Sequence, residues 1–166
     1  IAFLDTDDLW TSDHLKELIN LMNNKEKKFV YSNSYILQSY KKKYLTTNFN
    51  GFNFSNLNKF ENLTLNRNIF FGSILFEKNC LKLVMPLPTN FNHSIDDYII
   101  ISLLVTNANN IACNNKFTFI YRMHSSNLTN FQKELSSNES IEVLNMIQKK
   151  YSIKFNQIIY KERIYK

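Results

Sequence analysis

Three carboxylates crowd into four positions near the start of the chain, where Asp5, Asp7 and Asp8 follow the apolar residues 1–4. Aspartates this close repel one another and lose hydration at a strand end, which costs stability unless a cation or hydrogen-bond donors compensate. Carboxylates at this spacing are hard oxygen ligands suited to Mg²⁺ or Mn²⁺ bound together with a diphosphate. The sequence therefore predicts a divalent metal at this turn, a position where α/β proteins place ligands.

Two further patches carry groups suited to chemistry. Asp96 and Asp97 stand at the predicted start of a helix, and the segment 121–127, YRMHSSN, follows a predicted strand. That segment supplies a guanidinium through Arg122, an imidazole through His124 and two serine hydroxyls. Each patch lies where an element begins or ends.

Structural roles are the alternative for each patch. Asp7 and Asp8 could cap the helix that follows, and Asp96 and Asp97 lie where a helix dipole favours negative charge. His124 could be a histidine satisfied by hydrogen bonds within the fold, and Arg122 a surface charge. Only the combination of the three patches in one chain favours a functional interpretation.

Alternating strands and helices must position these patches. Apolar patterning predicts strands over residues 1–4, 29–38, 69–77 and 116–122. It predicts helices through 15–22, over 96–105 and along a tail stripe that begins near residue 138, while 41–62 has no assignment. The alternation is typical of an α/β fold with a sheet flanked by helices.

Local markers refine these elements. Ser12 or Asp13 is available as the N-cap of the first helix, and Ser94 precedes Asp97 by three residues as in a capping box. Gly72 marks a point of close approach in its strand. These residues should fix where the elements meet.

Composition sets the outer limits. The 166 residues are 44% hydrophobic with a net charge of +6, which suits one globular domain with an anionic ligand or an acidic membrane face. The sequence has no uninterrupted apolar stretch of about 18 residues, so no membrane-spanning helix is expected. No nucleic-acid partner is expected either. Cys80 and Cys113 show no metal-type spacing and are expected to be free, buried thiols in a reducing compartment.

Three segments together resemble family 2 glycosyltransferases of the GT-A fold. FLDTDDLW at 3–10 resembles their FLDxDD segment, and IDDYIIISLL at 95–104 resembles their (E/D)D-Y helix. YRMHSSN at 121–127 resembles their Y-R-x-H-x-S-N segment, in the expected order and spacing. The resemblance implies a partial GT-A, Rossmann-like sheet in a catalytic domain over 1–130, followed by a helical tail over 131–166.

The donor site follows from this resemblance. Asp5 and Asp7, with Asp8 adjacent, would hold Mn²⁺ or Mg²⁺ on the diphosphate of a nucleotide-sugar and touch its ribose. His124 would complete the metal or diphosphate site, and Arg122 would favour the anionic product. The implied reaction moves the sugar to an acceptor hydroxyl with inversion.

The acceptor side follows in the same way. Asp97 would be the general base that deprotonates the acceptor hydroxyl, and Asp96 would orient the acceptor. The Q-x-x-R-W signature of processive synthases is absent, so addition of single sugars is expected. Family analogy implies a glycan or lipid-linked acceptor in bacterial surface polysaccharide or lipooligosaccharide synthesis.

The resemblance also implies strands that grip the nucleotide ahead of Ile1, so the chain is expected to be truncated at its N-terminus. Two rivals remain open: a non-catalytic remnant or binding fragment, and a metal-dependent phosphohydrolase with a DxD motif. The phosphohydrolase pattern wants Thr or Val where this chain has Leu9.

The C-terminal residues 149–166 bear on where in the cell the protein acts. The residues 149–166 mix Lys and Arg with Tyr, Ile and Phe, a composition that can lie on an anionic membrane surface. The alternative is an amphipathic helix that packs on the domain. The protein is expected in the cytoplasm, with peripheral contact to the inner face of the membrane through this tail.

Overall fold

The computed structural model of the chain describes residues 1–38, 41–46, 69–92, 94–107, 110–125, 127 and 133–153. The boundary predicted at 130 and the tail beyond 153 lie outside these residues. The described strands are β1 (Leu9–Trp10), β2 (Phe29–Gln38), β3 (Lys41–Thr46), β4 (Ile74–Phe76) and β5 (Ile111–Met123). The described helices are α1 (His14–Asn24), α2 (Lys78–Val84), α3 (Ile95–Thr106) and α4 (Lys133–Tyr151).

The sheet is built around β2. β5 runs parallel to β2 along its whole length, and the other edge of β2 is shared by two antiparallel strands, β4 beside 29–31 and β3 beside 35–38. β1 pairs antiparallel with the far side of β5, which gives the order β1-β5-β2-β3. The prediction of an α/β fold is confirmed at this level.

The N-terminal segment differs from the predicted buried strand. Ala2 forms a single bridge with Leu75, and Ile1 exchanges backbone hydrogen bonds with Phe76. Two of the four side chains in this segment are exposed, and Leu4 keeps 45% of its surface in solvent. A regular strand begins only after the acidic turn, at β1.

The predicted strand over 69–77 is shorter than expected. A 3₁₀ turn over Phe71–Ser73 precedes β4, and its Gly72 lies against Phe119 of β5 so closely that a Cβ would stand 2.3 Å from Cε2 of that ring. The Gly72 carbonyl also accepts a hydrogen bond of 2.7 Å from Nε1 of Trp10. The predicted close approach at Gly72 is confirmed.

The strand over 29–38 and the helix over 96–105 are confirmed, whereas the predicted caps differ. Asp13 and Ser94 occupy N-cap positions, but neither side chain bonds the helix backbone. Asp13 accepts a hydrogen bond from the hydroxyl of Thr11, and Oγ of Ser94 lies 3.4 Å from Oγ of Ser140 on α4. The capping-box prediction for Ser94 is therefore wrong, because a partner from another helix takes its hydroxyl.

The core lies between the sheet and the two long helices α3 and α4. The aliphatic run of α3 is almost entirely buried, and Leu144 and Ile147 of α4 pack into the same cluster, with Tyr151 partly buried against it. Ile141 of the same stripe is also partly buried. This confirms the predicted apolar stripe of the tail helix, which begins earlier than expected, at Lys133.

Cys80 and Cys113 are both free, as predicted; Cys80 is buried and Cys113 is only partly buried. Among the helices of the described residues, none combines the length and apolar character needed to cross a bilayer.

Candidate functional site

The register of β1 on β5 brings the acidic turn to the end of β5. Leu9 lies opposite Ile120 in an antiparallel pair, so the residues before Leu9 run beside the residues after Ile120. The backbone N–H of Arg122 accordingly donates to Oδ1 of Asp8 at 3.0 Å. The first and third patches of the sequence thus meet at one edge of the sheet.

The turn itself gathers the carboxylates. The backbone N–H of Asp8 donates to the carbonyl of Asp5 at 3.1 Å, which closes the turn. One oxygen from each of Asp5, Asp7 and Asp8 then lies within 4.8 Å of the other two. Asp5 is exposed, Asp7 partly buried and Asp8 buried, so the cluster runs inward from the surface.

Asp7 is the carboxylate most closely tied to β5. Its Oδ2 lies 3.0 Å from Nε2 of His124 and accepts a hydrogen bond of 3.3 Å from Nδ2 of Asn127. Its backbone carbonyl accepts a hydrogen bond from Nε of Arg122. The side chains of Arg122 and His124 therefore both contact the acidic turn. In the sequence, only the family resemblance associated them with it.

The electrostatics of the cluster disfavour three bare charges. Burial raises the pKa of Asp8 to about 6, with smaller contributions from the charges of Asp7 and Asp5, against the lowering effect of the hydrogen bond from Arg122. Burial, and then the charge of Asp7, also raise the pKa of Asp5. A bound cation would relieve this repulsion.

The donor set fits a hard divalent cation. Within the described residues, hydrogen bonds occupy Oδ2 of Asp7 and Oδ1 of Asp8, so each of the three carboxylates keeps at least one oxygen for a ligand. Three carboxylates with no thiolate among them suit Mg²⁺ or Mn²⁺. The turn thus offers carboxylate oxygens that could hold such a cation, and metal binding there stays a prediction.

The second patch lies in the first turn of α3, where that helix meets α4. Asp96 and Asp97 are partly buried in the first turn of α3. Oγ of Ser140 on α4 donates to Oδ2 of Asp97 at 3.1 Å, and Ser94 stands beside Ser140. The predicted base therefore has a fixed hydrogen-bond partner, and its catalytic role stays a prediction.

One residue of the site escaped the sequence analysis. Asn127 is only 5% exposed and contacts Asp7, Arg122 and His124 through its amide. It is the last residue of the YRMHSSN segment and matches the asparagine of the motif that this segment resembles, yet no role was predicted for it. Its burial and its contacts with Asp7, Arg122 and His124 identify it as part of the candidate site.

No protein-family model matches this sequence, and no curated protein matches it at a significant level. The resemblance to family 2 glycosyltransferases accordingly rests on the three segments and their order.

Proposed function

We propose that this chain forms the metal-binding and acceptor-activating part of an inverting glycosyltransferase that uses a nucleotide-sugar. The observation that carries the proposal is the contact between Asp7 and His124, which are 117 positions apart in sequence. It unites the first and third of the motif-like segments at one edge of the sheet, as an α/β ligand site requires.

On the donor side, the residues that would hold Mn²⁺ or Mg²⁺ are Asp5, Asp7 and Asp8, with His124 beside them. When bound, the cation neutralises charge on the leaving diphosphate. Arg122 anchors its Nε on the turn and places its guanidinium next to the carboxylates, where it would meet an anionic product.

On the acceptor side, Asp97 takes the proton of the attacking hydroxyl and Asp96 orients the acceptor. The bond from Ser140 holds one carboxylate oxygen of Asp97, which restricts its rotamer. A glycan or lipid-linked acceptor and a place on the inner face of the membrane belong to the same proposal. Sedimentation with anionic liposomes tests that location, and protein that stays in the supernatant contradicts it.

Calorimetric titration of the native polypeptide tests the donor site. Mn²⁺ together with a nucleoside diphosphate should bind to the parent, and Asp7→Asn should weaken binding by at least about tenfold. Glu142→Gln, which removes an exposed carboxylate of α4, is the matched control and should bind like the parent.

A panel of nucleotide-sugars then tests turnover through release of the nucleoside diphosphate. Equal Mn²⁺ binding by the parent and Asp7→Asn would remove the metal site from the proposal. Binding with no transfer to any acceptor would favour a non-catalytic fragment. Metal-dependent hydrolysis of a simple phosphomonoester, lost in Asp7→Asn, would overturn the proposal in favour of a phosphohydrolase.

A further inference from the structure

The geometry points to Asn127 as the residue that positions the pair Asp7 and His124, and to His124 as a hydrogen-bond donor to Asp7 rather than a ligand of the cation. The part that concerns the cation rests on the proposed function. The part that concerns Asn127 rests only on contacts between this chain's own residues.

Asn127 fixes the backbone of His124 from both sides. The backbone N–H of Asn127 donates to the carbonyl of His124 at 3.2 Å, and Oδ1 of Asn127 accepts a hydrogen bond from the backbone N–H of His124. Asn127, whose side chain closes this turn, keeps only 5% of its surface in solvent. The main chain at His124 is therefore held by a group that cannot turn into solvent.

The amide nitrogen of Asn127 contacts Asp7, the other member of the pair. Nδ2 lies 3.3 Å from Oδ2 of Asp7 and 3.2 Å from the carbonyl of Arg122, so its two hydrogens have two acceptors. The opposite orientation of the amide would face oxygen toward both acceptors and nitrogen toward the N–H of His124. The contacts thus fix which atom is nitrogen.

This orientation decides what His124 does. Nδ2 of Asn127 also lies 3.3 Å from Nε2 of His124, but its hydrogens point to two oxygen acceptors. Nε2 of His124 lies nearer to Oδ2 of Asp7, at 3.0 Å, and a carboxylate accepts. Nε2 therefore carries a hydrogen that it donates to Asp7, and a protonated ring nitrogen cannot ligate a metal.

The consequence is a division of labour within the cluster. Oδ2 of Asp7 accepts two N–H bonds, which leaves Oδ1 as the oxygen of Asp7 that keeps its place for a cation. His124 and Asn127 act through Asp7 by holding its carboxylate plane. Partners of this kind around metal ligands typically change metal affinity by about 10- to 100-fold when removed.

The first test needs no metal. Nitrogen-15 spectra of the imidazoles of the metal-free protein should show His124 protonated at Nε2, and the backbone amide of His124 should exchange slowly with solvent. Asn127→Ala should lose both signals. Asn127→Asp keeps the acceptor for the N–H of His124 but not the donor to Asp7, so it should retain slow amide exchange and lose the fixed imidazole.

Asn23→Ala, an exposed change on α1, is the control and should leave both signals as in the parent. Asn127→Asp also covers the case in which Asn127→Ala does not fold. Unchanged imidazole spectra in folded Asn127→Asp, or a His124 that lacks a hydrogen on Nε2 in the parent, would overturn the inference.

The second test uses Mn²⁺ alone with pulsed electron paramagnetic resonance. The parent should show no directly bound imidazole nitrogen, and Asn127→Ala should bind Mn²⁺ about 10- to 100-fold more weakly. A bound imidazole nitrogen that disappears in His124→Gln would overturn the inference. Absence of Mn²⁺ binding in every variant would overturn the proposed metal site, while the metal-free spectra still decide the role of Asn127.

Discussion

The imidazole of His14 stacks on the indole of Trp10, with the ring centroids 4.7 Å apart. His14 is fully buried, and its Nδ1 shares a hydrogen bond of 2.7 Å with the hydroxyl of Thr118. Trp10 in turn donates to the carbonyl of Gly72. The strand that follows the acidic turn is thus anchored to α1, to β5 and to the 3₁₀ turn at once, which holds the turn in place.

Acid should weaken this anchor. Burial lowers the pKa of His14 from 6.5 to about 4, so the unfolded chain binds a proton more readily than the folded one between these values. The free energy of unfolding should therefore fall as pH drops from about 6.5 to about 4. Trp10 is the only tryptophan, and its fluorescence should change with a midpoint near pH 4. The same midpoint in His14→Phe would contradict the assignment.

Asp8 should show the opposite sign. Its folded pKa of about 6 lies above the ordinary 3.8, so the folded state holds the proton more tightly and loses stability as pH rises through this range. Asp8→Asn keeps an acceptor for the N–H of Arg122. In metal-free buffer it should be more stable than the parent at neutral pH by about 1 kcal/mol, less than the full shift because solvent screens the turn.

Urea unfolding at several pH values measures this difference for Asp8→Asn. The gap between the two proteins should narrow as pH falls from about 6 and should close below about pH 3.8, where the carboxyl of Asp8 is mostly neutral in both folded and unfolded chains. A gap that stays constant with pH would show that the carboxyl charge is not its cause.

Gly72→Ala should destabilise the sheet. The new methyl group would stand 2.3 Å from the ring of Phe119, which is fully buried and cannot move into solvent. Overpacking of this kind typically costs about 1–3 kcal/mol. Chemical denaturation of Gly72→Ala, Phe119→Leu and the double variant tests the contact, because the smaller side chain should recover part of the loss. Strict additivity of the two changes would contradict it.

Asp97→Asn should separate a base from a structural carboxylate. Loss of a general base typically lowers transfer by about 10²- to 10⁴-fold, while binding of the nucleoside diphosphate should stay near the parent's. Ser140→Ala removes the hydrogen bond to Asp97 but leaves the carboxylate, so its effect on transfer should be smaller. Near-parent transfer by Asp97→Asn would exclude the role of base.

Lys150→Met should loosen α4 from α2. Nζ of Lys150 donates to the carbonyl of Val84 at 2.8 Å, at the end of α2, and to the hydroxyl of Tyr98 at 3.0 Å. We expect a loss of about 1 kcal/mol in the free energy of unfolding, the usual net value of such bonds. Lys149→Met, its exposed neighbour, is the matched control. Equal stabilities of the two variants would show that these bonds contribute nothing measurable.

The contacts of Lys150 also bear on the tail. The sequence counted this residue among the basic groups of a membrane-facing segment, yet the structure uses it and Tyr151 to pack α4 against α2. The start of the segment thus follows the alternative interpretation, an amphipathic helix on the domain. A long side chain can serve either role, and only its neighbours decide between them.

Elements whose signal is local could be predicted from the sequence. The pattern of apolar residues that predicts each of these elements lies within the element itself. Examples are the Val-, Tyr- and Ile-containing strand β2, the aliphatic run of α3 and the apolar stripe of α4. The crowding of Asp5, Asp7 and Asp8 was equally visible, because repulsion between neighbouring carboxylates depends on spacing along the chain.

Tertiary structure alone decided what those elements meet. The pairing of β1 with β5 joins residues more than 100 positions apart, and it is this pairing that sets Arg122, His124 and Asn127 against the acidic turn. The hydroxyl of Ser94 likewise lies against Ser140 of α4, 46 positions along the chain, and does not cap its own helix. A polar group can form a hydrogen bond with any partner that the fold brings close to it. Partners that are distant in sequence do not affect the local pattern of apolar residues, so that pattern cannot predict them.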